Sequence, residues 1–256
     1  PSNLPWPRHI IDTPPKPHHG QPVDMDGDGG VDLVMAIRGD ISDKLALETP
    51  GSQIVWYEQT GDGGWTKHMI AEEFHQASVV VAADVDGDGD NDVITSLAAH
   101  GYGLCWYENQ PKDGGITFVA HTFMNAKPEE NRYGVKFSQL HAIDLVDMNR
   151  DGLLDIVTGK RFWAHGPRGD AEPNAAAVLY WFELRRTKKN GVDWVPHLVD
   201  NDSGIGTQVM AVDMNADGWP DIVVGNKKGA FVHIQSPKKV SRKEWRQAQP
   251  KSHKAD

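Results

Sequence analysis

The chain has 256 residues, 39% of them hydrophobic, and one cysteine, so it carries enough apolar material for a sizeable core and no internal disulfide. Its formal net charge of −10 disfavours nucleic acid or an anionic membrane as a partner. No apolar stretch reaches the length of a membrane span, and one all-β domain of this size is ordinary, so no second domain is required.

The chain begins PSNLPWP, with neither Met nor a signal sequence, as a processed or excised product would. After the apolar run WPRHII, Trp6 to Ile11, comes DMDGDGGVDLVMAI from Asp24, which places Asp24, Asp26, Asp28 and Asp32 at positions 1, 3, 5 and 9 of one tight loop. Carboxylates at that density repel one another and require a positive partner. Hard oxygen ligands in a flexible, glycine-bearing loop suit Ca²⁺. The spacing opens like an EF-hand loop, but the flanks alternate like strands and not like helices.

The motif recurs. From Asp24 to Asp84 is 60 residues, from there to Asp147 another 63, and from there to Asp213 another 66, an interval steady enough to mark a repeat architecture. The equivalent ligands are Asp84, Asp86, Asp88 and Asp92, then Asp147, Asn149, Asp151 and Asp155, then Asp213, Asn215, Asp217 and Asp221. Up to four Ca²⁺ are therefore expected, which would bring the formal charge from −10 to about −2.

Each unit carries four apolar or alternating runs. Strand A precedes the loop (79–83, 141–146 and 208–212, with the short GQPV in the first unit), and strand B follows it (32–37, 92–97, 155–159 and 221–225). Strand C is IVWYE, LCWYE, LYWFE and the weaker AFVHI; strand D is WTKHMI, FVAHTF and WVPHLV, with TGDGG, PKDGG and KKNG as hairpin signals between C and D. The fourth unit lacks strand D, and WPRHII repeats the aromatic-x-x-His pattern of that strand. The reading is an all-β chain, a propeller of four blades of four antiparallel strands closed by the N-terminal strand, with a fragment of a larger ring as the alternative. The propeller spans 1–237, with blade units 21–70, 79–123, 140–199, and 208–235 plus 6–11; a basic flexible tail occupies 238–256. Cys105 is read as core packing.

The D-x-[DN]-x-D-G-x-x-D loop between strands resembles the FG-GAP or VCBS repeats of calcium-binding propellers, including those of integrin α subunits. The WYE strand is also similar to propellers of bacterial exported proteins and of aldos-2-ulose dehydratase, a sugar-processing enzyme. The resemblance covers roughly residues 6–235 and implies Ca²⁺ at the four loops above.

In an A–B–C–D antiparallel order the calcium loops leave one face of the disc, and the B–C and D–A loops leave the other. That second face holds His18, His75, His100, His141 and His165, with Lys160 and Arg161, as candidate catalytic groups. Tyr102, Tyr133, Trp163 and Arg132 are candidate ligand-binding groups there, and the histidine cluster is a candidate second metal site. By contrast His9, His68, His121 and His197 recur at one position of strand D, which argues for a structural role. No P-loop, G-x-S-x-G, H-E-x-x-H or paired-cysteine signature occurs.

The expected function is an exported, calcium-binding module (extracellular, periplasmic or cell-surface) that engages a glycan or protein through its histidine-rich, basic face. The saccharide is expected to be anionic or oxidised, because imidazoles, aromatic rings and cations gather there. The alternative is a lyase or dehydratase acting on sugars, with a neutral His as base and Arg161 or Lys160 steadying the developing anion.

Overall fold

The computed structural model describes residues 6–39, 52–72, 77–112, 114–187 and 191–253; His75 lies outside them. Among the described residues, fifteen strands form four antiparallel sheets that follow one another around a four-bladed β-propeller. Blade 1 contains β1 (Pro17–Val23), β2 (Asp32–Ile37), β3 (Gln53–Gln59) and β4 (Trp65–Glu72); blade 2 contains β5 (Val80–Ala83), β6 (Asp92–Ser96), β7 (Leu104–Lys112) and β8 (Gly115–Met124). Blade 3 contains β9 (Ile143–Val146), β10 (Asp155–Gly159), β11 (Leu179–Arg186) and β12 (Val192–Asp200), and blade 4 contains β13 (Val209–Val212), β14 (Asp221–Asn226) and β15 (Gly229–His233).

Because successive side chains of a strand point to opposite faces, each blade presents one apolar row to the blade before it and one to the blade after it. Val34, Ala36 and Trp56 of blade 1 pack with Val80, Val93 and Tyr107 of blade 2. Ile94, Leu104 and Trp106 of blade 2 pack with Ile156, Phe182 and Trp194 of blade 3, and Val157 and Leu179 of blade 3 with Ile222 and Val224 of blade 4. Cys105 is buried in the first of these layers.

Strand D also has an internal logic. His68 stacks on Trp56 at 4.3 Å between ring centroids, His121 on Trp106 at 4.5 Å and His197 on Trp181 at 4.2 Å. The same imidazoles meet Glu58, Glu108 and Glu183 through Nε2 at 2.7, 2.7 and 2.9 Å. The repeated histidine thus covers a tryptophan and satisfies the glutamate two residues further along strand C.

That arrangement corrects the expected closure. Residues 6–16 form no strand, and among the described residues the fourth sheet has three strands. In blade 4 the tryptophan position is Val232, paired with Val223 as Trp56 pairs with Val34, and the glutamate position is Ile234. His9 would find neither a ring to cover nor a carboxylate to meet. The N-terminal segment lies on blade 1 instead: Ile11 packs in the layer of Val55 and Tyr57, and Asp12 accepts the Tyr57 hydroxyl at 2.6 Å. Trp6 is 95% exposed, and the outward row of blade 4, with Met210 at 49% and Val232 at 50%, is uncovered among the described residues.

The basic tail is held against the propeller. Helix α1 (Arg242–Ala248) opens on a capping box between Ser241 and Glu244. Trp245 lies under the Arg185 guanidinium at 5.8 Å, Gln249 also meets Arg185, and His253 N–H donates to the Arg132 carbonyl at 2.7 Å. Among the described residues no helix is long and apolar enough to cross a membrane.

Candidate functional site

The four A–B loops share one construction. The ninth residue, Asp32, Asp92, Asp155 or Asp221, is at most 2% exposed. One of its oxygens accepts the N–H of loop residue 2 (Met25, Val85, Met148, Met214) at 2.8 to 3.0 Å, and the other accepts an N–H just beyond the strand C core (Gln59, Asn109, Leu184, Gln235) at 2.8 to 2.9 Å. This carboxylate therefore ties the loop to its blade. The fourth residue has a left-handed backbone in every copy: Gly27 at φ 75°, Gly87 at 94°, Arg150 at 63° and Ala216 at 61°.

In blades 1 and 2 the carboxylates at positions 1, 3 and 9 bring ligand oxygens within 4.8 Å of one another. Burial and neighbouring carboxylates push Asp26 and Asp86 above the usual range, and burial pushes Asp92 and Asp155 up to about 7. In blades 3 and 4 position 3 is an amide, and Asn149 and Asn215 donate to Asp151 and Asp217 at 2.9 and 3.0 Å. The donor set is all oxygen, crowded with like charge and partly withdrawn from water, which fits a hard dication such as Ca²⁺.

At the opposite ends of the strands, loops from blades 2 and 3 interlock around Gln139. This buried residue sits at φ 64°, an unusual conformation for a side chain of its size. Its N–H donates to Gly101 O at 2.9 Å, its carbonyl accepts from Arg161 N–H at 3.1 Å, and its amide bonds Ala164 N–H and Ala171 O at 3.1 Å each. Three loops are thereby tied into one platform. Trp163 (φ 49°) and Glu172 (φ 43°) carry the same backbone strain in the third of them.

On this platform His100 lies 4.9 Å from His141 and 4.4 Å from His165, ring centre to ring centre. Asp170, whose side chain is fully buried, sets one oxygen 3.2 Å from His100 Nδ1 and 3.0 Å from His165 Nδ1, while the other takes the His165 N–H at 2.8 Å. Burial raises Asp170, but the His165 hydrogen bonds outweigh it and leave the carboxyl below its ordinary range. Burial lowers His100 to about 4 and His141 to about 3, so both are neutral at pH 7. His141 Nδ1 lies 2.9 Å from the Gln139 carbonyl, which can only accept, so Nδ1 carries the proton and Nε2 keeps a lone pair. The ring also lines a cavity of about 330 Å³ to which residues on or beside the inner strands of all four blades contribute.

Two cations complete the site. Lys160 is 1% exposed, and among the described residues its ammonium meets only the carbonyls of Arg161 and Pro173, at 3.5 and 3.4 Å. Arg161 is partly buried, feels the Asp170 charge, and makes no side-chain hydrogen bond or ion pair with any described residue. Burial lowers the pKa of both groups. Tyr102 and Trp163 flank the platform: Lys136 lies 5.1 Å from the Tyr102 ring and pairs with Glu172 at 2.7 Å, while Trp163 Nε1 donates to Asn174 at 3.1 Å.

Not every expected residue arrives. His18 turns Nδ1 to the Ser78 carbonyl at 2.8 Å, at the junction of blades 1 and 2. Arg132 and Tyr133 are directed elsewhere: Tyr133 donates to Asp193 at 2.7 Å, Arg132 stands 3.5 Å from the same carboxylate, and both line a cavity of about 400 Å³ with Asp86, Trp106 and Glu108. The loop from 125 to 142 is long enough to run back along the blade edge, so belonging to it does not fix the face. Asp170 and Gln139 were not among the expected site residues; the acidic residue inside the otherwise basic KRFWAHGPRGD was the available signal.

Residues 24–95 match the FG-GAP-like repeat family and residues 205–231 the FG-GAP repeat family. No curated protein matches the chain. Among solved structures it is similar to the Bacillus licheniformis rhamnogalacturonan lyase PL11, at 13% identity and a TM-score of 0.50, over 85% of this chain and 40% of that one. The exotype rhamnogalacturonan lyase YesX gives 13% identity and a TM-score of 0.47, over 81% of this chain and 38% of that one. The chain thus spans about two fifths of the length of those lyases, and the likeness to PL11, at identity this low, speaks for the fold alone. The matched stretches, which contain the loops at Asp24, Asp84 and Asp213, are FG-GAP-type propeller repeats.

Proposed function

We propose that this chain is an exported, calcium-stabilised propeller that binds an anionic saccharide on the face opposite its acidic loops. The observation that carries the reading is the pairing of Arg161, with no acceptor among the described residues, and Lys160, with no carboxylate in contact, beside neutral His100 and His141. Asp170 acts on both cations, and Glu172 on Lys160, without touching either, so two positive charges partly withdrawn from water have no carboxylate in contact, and a ligand carboxylate would supply one. Tyr102 and Trp163 offer aromatic surface for a sugar ring. Export is supported by the loops themselves, since sites of this kind are most useful where free Ca²⁺ is millimolar.

Turnover is the second reading, and the free Nε2 lone pair of His141 favours it. An imidazole whose conjugate acid has a pKa of about 3 is a poor proton acceptor, however, until an anion beside it raises that value. Binding therefore ranks first. Calorimetry with uronic-acid oligosaccharides and neutral oligosaccharides of equal length tests it: the acidic ligands should bind, and Arg161→Gln should weaken them at least tenfold. Equal affinity for neutral sugars, or indifference to Arg161→Gln, would overturn the assignment; release of unsaturated or dehydrated product would promote the second reading.

A further inference from the structure

We propose that His100, His165 and Asp170 form a three-ligand site for a transition-metal dication of the zinc class, separate in place and chemistry from the calcium loops. Their ligand atoms lie within 4.8 Å of one another. The two Nδ1 atoms stand 3.2 and 3.0 Å from the same Asp170 oxygen. Donors held about 2.0–2.2 Å from a tetrahedral ion are about 3.3 Å apart, so the two nitrogen–oxygen edges of the site already have close to the spacing a metal requires.

A second observation separates this from a plain hydrogen-bonded cluster. His100 Nδ1 is buried and has no aligned hydrogen-bond partner, although the carboxylate is close. A buried nitrogen with no hydrogen-bond partner, beside a second imidazole and a carboxylate, is a donor set that a metal ion would satisfy. The site is also held in advance: the His165 N–H fixes the Asp170 carboxylate at 2.8 Å, and Ala171 N–H donates to the His100 carbonyl at 3.2 Å, joining the loops of blades 2 and 3. Two imidazoles and one carboxylate suit zinc better than calcium, and three protein ligands leave a position for water or an anion. Arg161 and Lys160 lie close enough to interact with Asp170, so they weaken binding of the bare cation and favour an anionic fourth ligand.

The test uses metal alone, so it stands or falls independently of saccharide binding. The full chain, saturated with Ca²⁺, is titrated with Zn²⁺ by calorimetry and with Co²⁺ by visible absorption. One equivalent should bind, with the intense visible bands of a low-coordinate Co²⁺ site. His165 is exposed, so the His165→Ala protein should still fold, as a cooperative melting transition without added zinc would show, while binding weakens by at least about 100-fold, and Asp170→Asn should do the same to binding. No binding by the wild-type chain up to millimolar metal, or binding retained in either variant, would overturn the site.

Discussion

Asp144, on the inner strand of blade 3, accepts the backbone N–H of Ala211 on the inner strand of blade 4 at 2.7 Å. Inner strands are sheet edges, with donors that no neighbouring strand can take. The blade before supplies the acceptor elsewhere too: Gln21 Oε1 takes Ala82 N–H at 3.0 Å, and His19 Nδ1 takes Val80 N–H at 3.3 Å. At the position of Ala82 and Ala211, blade 1 has Pro22, which has no N–H to satisfy. Asp144→Ala should therefore cost about 1–3 kcal/mol by orphaning a partly buried donor, and should speed hydrogen exchange at Ala211. Unchanged exchange at that amide would mean that water replaces the carboxylate without penalty.

Most of this scaffold was legible because each strand repeats a pattern fixed by local physics: alternation, a β-branched run after the loop, and aromatic-x-Glu on strand C. What was not legible depended on partners. WPRHII has the letters of strand D, but only Trp56, Trp106 and Trp181 with their glutamates give that histidine something to hold, and blade 4 has Val232 and Ile234 there. Likewise Arg132 and Tyr133 belong to a loop that Asp193 draws to the other side, whereas Asp170 joins the histidines only because Gln139 folds two loops together.

Removing residues through Ile10 should leave stability nearly unchanged, since Ile10 and Trp6 are exposed and pair with no strand. Extending the deletion through Asp12 removes Ile11 from the Val55 and Tyr57 layer and orphans the Tyr57 hydroxyl, so a loss of about 2–4 kcal/mol is expected. Urea unfolding of the two truncations measures the difference. A large loss from the shorter one would show that the segment closes the ring after all.

The four loops should divide into two classes. Blades 1 and 2 offer four carboxylates each and have Glu58 or Glu108 close enough to act on Asp26 or Asp86, whereas blades 3 and 4 replace the carboxylate at position 3 with Asn149 or Asn215. Affinity in such loops follows ligand charge. Calcium titration of chelator-stripped protein should give two tighter and two weaker sites, and Asp86→Asn should move one from the first class to the second. At 100 times its dissociation constant each site adds about 2.7 kcal/mol, so chelator should lower the melting temperature markedly. Four equal sites, or melting indifferent to confirmed metal removal, would refute this division.

Acid stability should run through Glu183. Burial raises its carboxyl, but hydrogen bonds from His197 and Arg185, at 2.9 and 2.7 Å, outweigh burial and hold it at about 2 instead of the ordinary 4.5. A folded pKa below the unfolded one means that the unfolded chain takes up the proton first as pH falls. The contribution is complete above pH 4.5 and disappears between there and pH 2; it amounts to about 3 kcal/mol at most. Glu183→Gln should therefore lower stability at pH 7 and flatten the pH dependence in that window. The same change at Glu58 should have a smaller effect, because that carboxylate is more exposed and has only His68 as a partner among the described residues. Denaturant midpoints for both variants between pH 2.5 and 7 make the comparison. If the Glu183 variant tracked the wild-type pH curve at a constant offset, its loss would come from packing and not from the ionised pair.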